Sequence, residues 1–433
     1  MSRKLVLILV LLILLPFLVY VTLLYVRFNP TEKVPSGGPV RNINTGLNYT
    51  TIQATIDANE TLDGHTIFVE EGIYYEHVVV NKSISLMGEN RTTTVIDGNG
   101  TGIDIRVTAN SVVIKGFTVK NGTSGIYLYR ANNSLVMGND VVFNGDAILV
   151  YYSGNCTIRQ NSAGNNTSRG ILVSNSWNFT VSSNNVYGNG MYGLNANSST
   201  NGLIKQNNAY RNHYDGIGLF DSNNCIITEN NVKENSLYGI MISSSGDSFI
   251  YYNNIINNLV QAFDFNLSNR WDDGVEGNYW SNYVGVDSNR DGIGDTAQVI
   301  SGGNQDNRPL MGSFHSFNTS MGFTMNVVSN STIEDFEYFQ SNSTIKMHVS
   351  NMTSNQTFGF VRICIPHVLM NDTYKVLIDG AEPYYVNYTL HDNGTHRWIY
   401  FAYKHSTLEI VIVRVSIIPN SATIHDSNTT SSH

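Results

Sequence analysis

Through the middle of the chain, apolar and polar positions recur together at a fixed step. Small-residue and aliphatic pairs mark it: Gly102-Ile103, Gly125-Ile126, Ala147-Ile148, Gly170-Ile171, Gly193-Leu194, Gly216-Ile217, Gly239-Ile240 and Ala262-Phe263. The step is about 23 residues, the signature of a stacked repeat. Two aliphatic columns share it, one running Val113, Val136, Ile158, Val181, Ile204, Ile227, Ile250 and the other Val141, Ala163, Val186, Ala209, Val232, Ile255. Three asparagine columns lie between them: Asn110, Asn133, Asn155, Asn178, Asn201, Asn224 (then Asp247); Asn139, Asn161, Asn184, Asn207, Asn230, Asn253; and Asn121, Asn144, Asn166, Asn189, Asn212, Asn235, Asn258. Each repeat thus reads as three short strands with inward apolar side chains and Asn-rich corners.

Such a unit cannot bury its apolar face alone, and stacking solves this. Three strands per coil make a triangular prism in which every strand pairs in parallel with its copy about 4.8 Å above and below. The right-handed crossover preference of parallel strands sets the hand, so the sequence predicts a right-handed parallel β-helix. Asn tolerates left-handed backbone at corners, and stacked amides bond to one another, each bond contributing about 0.5–1.5 kcal/mol net. Ile52 to Ala58 predicts a short amphipathic helix capping the open end. Thr66–Val69, Val78–Val80, Ile84–Met87 and Val95–Ile96 read as the first strands. Beyond residue 312 the period disappears. Short alternating strands such as Phe358-Gly-Phe-Val-Arg-Ile-Cys-Ile and Trp398-Ile-Tyr-Phe-Ala-Tyr, with turns at Asp379-Gly380 and Asn393-Gly394, predict a β-sandwich. The division expected is a membrane helix (1–28), a linker (29–47), the β-helix (48–268), a closing segment (269–312), the sandwich (313–418) and a polar tail (419–433).

Leu5 to Val26 is an uncharged apolar run preceded by Arg3 and Lys4. It is long enough to cross a bilayer core of about 30 Å as a helix. The flanking positive charges predict a cytoplasmic N-terminus with the bulk of the chain outside. The run ends Leu24-Tyr-Val-Arg-Phe without small residues, which favours an uncleaved signal anchor. About 22 Asn-x-Ser/Thr triplets fit an exterior address. Of the 433 residues only 14% are charged, with a formal net charge of −9. An acidic chain without a basic run excludes nucleic acid as a partner. Cys156 and Cys225 stand three repeats apart, about 14 Å, beyond the roughly 7 Å that a disulfide allows. They and Cys364 read as buried free thiols.

Tyr49-Thr-Thr-Ile-Gln-Ala-Thr-Ile-Asp-Ala, Gly72-Ile-Tyr-Tyr-Glu-His-Val, Ser83-Ile-Ser-Leu-Met-Gly-Glu and Val95-Ile-Asp-Gly are followed by the Asn-rich coils. Together they resemble the β-helix of carbohydrate-binding and sugar-hydrolase proteins, in the NosD-like branch found in archaeal surface proteins. Gly277-Asn-Tyr-Trp-Ser-Asn-Tyr, Asp287-Ser-Asn-Arg-Asp-Gly-Ile-Gly-Asp and Asp306-Asn-Arg-Pro-Leu resemble the segment that closes the helix in that branch. The resemblance implies the fold and an extracytoplasmic setting; the branch includes both enzymes and binders. Copper, associated with the namesake, needs converging imidazole or sulfur ligands. His65, His77 and His213 are scattered along the repeat, so copper is not expected.

Three groups of residues carry candidate chemistry. Asp287, Asn289, Asp291 and Asp295, with the Ile293 carbonyl and Gly292 at the turn, stand at the alternating positions of a Ca²⁺ loop. Gln298 replaces the usual final Glu, leaving Asp306 to complete the shell. Tyr127, Tyr129, Tyr151 and Tyr152 alternate with core residues on successive coils, and Tyr192, Tyr214, Phe220 and Tyr238 are expected to extend that face. Such rings suit sugar. Catalysis needs two cooperating carboxyl groups, whereas Asp146 and Asp215 lie three coils apart and Asp221 sits about 20 Å from Asp215 along a strand. Arg169, His213 and Asp215 beside Tyr192 form the best remaining polar cluster. The sequence therefore predicts a membrane-anchored exterior protein that binds glycans or serves in adhesion. A polysaccharide lyase or hydrolase is the alternative.

Overall fold

The computed structural model describes residues 38–371, 373–406 and 408–415. The membrane helix and polar tail expected from the sequence lie outside them. Among the described residues no helix is long and apolar enough to cross a membrane.

Residues 66–280 form the predicted right-handed parallel β-solenoid. Its three faces lie in sheets of eleven, ten and nine strands, the first including the antiparallel Val40–Asn42 and Asn48–Tyr49 at its N-terminal edge, and consecutive coils pair in parallel, as in Val136↔Ile158↔Val181↔Ile204↔Ile227↔Ile250. Those six residues are buried in one continuous core, and full burial of a Val or Ile side chain contributes about 1.5–3 kcal/mol. The helix Ile52–Asp57 plugs the N-terminal end with Ile52 and Ile56. Thr51 Oγ1 accepts from Ala54 N at 3.1 Å, and the Glu76 carboxylate accepts from Ile52 N and Gln53 N, both at 3.0 Å. These acceptors satisfy amides that a helix start leaves orphaned.

The register departs from the sequence alignment at both ends. Gly125-Ile126 pairs with Asp104-Ile105 rather than Gly102-Ile103, and Gly239-Ile240 with Gln261-Ala262 rather than Ala262-Phe263. Val136 pairs with Ile114, not Val113. Coils of 21 and 22 residues at the ends cause these slips, two residues at Ile105 and one at Ile114 and Ala262; a one-residue slip exchanges inward and outward side chains.

The asparagine columns divide by role. Asn133, Asn155, Asn178, Asn201 and Asn224 are left-handed corners (φ 52–58°), joined by Ser111 in place of Asn110. In the other two columns the left-handed residue is the one before the asparagine, as at Gln160, Gln206 and Tyr252, and the Asn side chain turns inward. There the amides form two buried ladders. Asn139 through Asn161, Asn184, Asn207, Asn230 and Asn253 to Asn278 each donate Nδ2 to the next Oδ1 at 2.9–3.1 Å. Asn166 to Asn258 form the second, at 2.9–3.0 Å. Asn121 belongs to neither: Gly122 holds its place, and Asn121 donates to Asp97. A third ladder, not read from the sequence, runs through Ser153, Ser176, Ser199, Ser222 and Ser245, each hydroxyl accepting the backbone N–H one coil below.

After the last coil the chain crosses the open end and enters the sandwich. Five strands (Ser313–Asn318, Thr324–Ser329, Phe358–Pro366, His396–Lys404, Tyr385–Asp392) face four (Ser331–Phe339, Thr344–Asn351, Leu408–Val415, Thr373–Ile378) across a shared core. Cys156, Cys225 and Cys364 are buried free thiols.

Candidate functional site

The nine-stranded sheet presents outward side chains in columns. In one, Asp146, Arg169, Tyr192, Asp215 and Tyr238 follow at successive coils. Arg169 turns toward Asp146, its Nη1 3.8 Å from Oδ1 and its backbone N–H donating to the same oxygen at 3.1 Å. Tyr192 stacks on Tyr214 at 5.5 Å and meets Phe220 edge-on at 5.9 Å. Phe220 belongs to the far end of its strand. It reaches back because Gly218 has no side chain: a Cβ there would lie 2.6 Å from the ring. His213 sits edge-on against Tyr214 at 5.5 Å.

Asp215 is the chemically distinct member. It is only 3% exposed, and its Oδ1 has no hydrogen-bond partner. Burial raises its carboxyl to about 6, opposed by the backbone N–H of Tyr238. The Tyr192 hydroxyl is raised by burial, then by Asp215 and Tyr214, with Arg169 acting the other way. Tyr192 therefore bridges the acidic and basic members. Among the described residues no second carboxylate joins Asp215, since Asp146 lies three coils below and is engaged by Arg169.

The tyrosines form three groups instead of the continuous face expected. Tyr127, Tyr129, Tyr151 and Tyr152 make a four-ring cluster with centroids 5.6–6.4 Å apart. The next coil presents Leu172 and Ser174 at the corresponding positions, which interrupts the aromatic run. Tyr192, Tyr214 and Phe220 form the second group. Tyr238 forms the third with Phe263, at 5.3 Å, and Phe263 meets Phe265 at 4.5 Å. Tyr187 and Tyr210 stack at 5.4 Å on the ten-stranded sheet, a pair the sequence reading passed over.

The acidic loop folds on its own backbone. Asp287 accepts from the amides of Asp291 and Gly292, both at 2.9 Å, Asp291 from Ile293 N at 2.8 Å, and Asp295 from Ser288 N at 2.8 Å. Asn289 donates to Asp291 at 3.1 Å. Burial, and behind it the neighbouring Asp291 and Asp295, raises the Asp287 carboxyl despite those amides. Asp306 does not complete this loop. Its buried carboxylate accepts from Asn278 N, Trp280 Nε1 and Arg308 N at 2.8–2.9 Å. Among the described residues no three His, Cys, Asp or Glu side chains converge as a metal-binding group. His65 is bonded to Asn42 and His77 to the Ile103 carbonyl, far along the chain from His213.

The model of the family described as "Periplasmic copper-binding protein (NosD)" matches residues 52–285, more than half of the chain. The chain belongs to the NosD family. This NosD-family chain is 36% identical over 95 residues to a "Cell surface glycoprotein" of Methanothermus fervidus. That match covers 22% of this chain and spans 16% of the relative. Similar solved structures include the A-module of the mannuronan C-5 epimerase AlgE4 of Azotobacter vinelandii (18% identity, 56% of this chain and 85% of that one, TM-score 0.46). The Dettilon tailspike protein gp208 is another (12% identity, 80% and 86%, TM-score 0.39).

Proposed function

We propose that this chain is a cell-surface protein that binds extracellular glycans on the outer face of its nine-stranded sheet. The observation that carries the reading is the Tyr192, Tyr214 and Phe220 cluster, whose rings gather on the outer side of the sheet. Ring faces stack on the C–H faces of sugars while the phenol edges bond their hydroxyls. The Leu5 to Val26 segment is the membrane anchor in this reading. The surface glycoprotein relative and the Asn-x-Ser/Thr triplets support the exterior address. Binding of the ectodomain to a glycan array tests it: Tyr192→Ala with Tyr214→Ala is expected to weaken the best ligand by at least about tenfold, or 1.4 kcal/mol. An array with no ligand leaves a structural or adhesive role.

One observation favours a second reading, a polysaccharide lyase or hydrolase. An acid whose Oδ1 has no partner, raised by burial to about 6, is matched to proton transfer near neutral pH. Turnover of a polysaccharide that Asp215→Asn or Arg169→Ala abolishes would establish it. In both readings Asp287, Asn289, Asp291, Asp295 and the Ile293 carbonyl take Ca²⁺ and stiffen the closing segment. Calcium is expected to raise the melting temperature, and Asp291→Ala to remove that rise; a melting temperature indifferent to calcium and chelator refutes the assignment.

A further inference from the structure

The nine-stranded sheet ends at the strand Val260–Asp264, and its upper edge is only partly covered. The closing segment bridges it at Phe263, paired with Ser301, and Asp264 N donates to the Ser301 carbonyl at 2.8 Å. Before that bridge the two segments part around a cavity of about 390 Å³. Its floor is buried, and its exposed rim carries Leu259 and Val299, 73% and 69% exposed, beside Asn257, Asn282 and Ser301.

The wall holds no ionisable side chain. What it offers is amide and hydroxyl groups with bonding capacity to spare. Asn282 and Ser301 make no side-chain hydrogen bond among the described residues, and Asn257 accepts from Ser281 Oγ but donates nothing through Nδ2. Gln298 donates to the Val299 carbonyl at 3.0 Å, which leaves its Oε1 free. Ser281, which takes the Gln261 Nε2 hydrogen at 2.7 Å, holds the floor in place.

We propose that this cavity is a second binding site, which takes one uncharged pyranose residue, distinct from the tyrosine groups on the sheet face. An anion finds no cationic partner in the wall and a cation no carboxylate. A wholly apolar ligand offers these groups no partner, at about 1–3 kcal/mol for each one that it covers from water. A neutral sugar matches both features, its hydroxyls to the amides and its C–H face to Leu259 and Val299, and the volume lies within the usual range for small-ligand sites.

The test is saturation-transfer NMR on the ectodomain carrying Tyr192→Ala and Tyr214→Ala, so that failure of the sheet-face reading does not affect the result. The probes are galactose, mannose and N-acetylglucosamine, with galacturonate and glucosamine as charged counterparts. At least one neutral sugar is expected to show transfer, and its charged counterpart at least about tenfold weaker affinity. Ser301→Trp, which fills the cavity, is expected to abolish transfer. Asn282→Ala, an exposed position without bonds, is expected to weaken it without loss of fold. Absence of transfer from every neutral sugar overturns the proposal, as does transfer that survives Ser301→Trp or equal binding of galacturonate.

Discussion

Asp104 occupies a place that the coils from Gly125 to Gly239 reserve for small residues. It aligns with Gly125, where a Cβ would already lie 2.4 Å from Val141. A carboxylate fits one coil lower because Gly98 and Gly122 leave the space empty: a Cβ at either would lie about 2 Å from Asp104 Oδ1. The side chain is fully buried and neither oxygen is bonded to a side chain or backbone group by ordinary geometry. Burial raises its carboxyl to about 8, the negative charge of Asp97 adds to this, and the Gly122 amide opposes it. Lys120 does not relieve the charge, since it pairs with Asp97 at 3.5 Å. An unfolded Asp titrates near 3.9, so between about pH 4 and pH 8 the native state binds the extra proton and stability falls as pH rises. Asp104→Asn removes that proton from the balance. Urea midpoints across this range are expected to decline less in the variant than in wild type; equal slopes would show that Asp104 is not the group responsible.

At the scale of elements, the two asparagine ladders are one-way structures. Every amide donates toward the C-terminal end, so unmet acceptor demand collects at the top and each ladder needs a terminal acceptor. Asp306 closes one, taking Asn278 N at 2.8 Å, and Gln261 Oε1 closes the other, taking Asn258 Nδ2 at 2.9 Å. Asn207 sits mid-ladder, accepting from Asn184 N and Nδ2 and donating to Asn230 and the Val181 carbonyl. Asn207→Ala leaves several buried groups without partners at about 1–3 kcal/mol each. A loss of about 3 kcal/mol or more in chemical denaturation is expected, whereas Asn201→Ala at an exposed corner should cost far less. Equal losses would mean that corner conformation, not the ladder, fixes asparagine here. The ladders were legible in the sequence because an asparagine amide both donates and accepts, and so can bond to its copies along the stack. The left-handed residues beside them were not, since Phe143, Gln206, Arg211 and Tyr252 are held at positive φ by stacking against their own propensity. The serine ladder escaped notice because serine is ordinary in loops. Splitting of the tyrosine face depends on Leu172, Ser174 and Gly218, whose effect appears only once outward columns are in register.

Across the whole molecule, solenoid and sandwich are joined by buried polar contacts. Tyr252 stacks on Phe314 at 4.4 Å, and Asn254 exchanges hydrogen bonds with the Phe314 backbone at 2.7 and 2.8 Å. Arg290 lies over the Tyr385 ring at 4.8 Å. The central contact is Arg362, on the face of the strand Phe358–Pro366 opposite the sandwich-core residues Val361, Ile363 and Ile365. Its Nε pairs with Glu276 at 2.5 Å, both residues being nearly inaccessible to water, and its Nη1 donates to the Asp291 carbonyl at 2.7 Å. One guanidinium thus ties the sandwich to the closing segment and to the acidic loop. Removing one partner of a buried pair strands the other, at about 3–5 kcal/mol, while replacing both with neutral groups costs much less. Arg362→Met is therefore expected to destabilise the sandwich against the solenoid by that amount and to open residues 269–312 to limited proteolysis. Adding Glu276→Gln is expected to restore most of the stability without restoring the loop contact. If the single variant stays within about 1 kcal/mol of wild type, as an exposed ion pair would, the joint is held by its aromatic stacking and the Asn254 bonds instead.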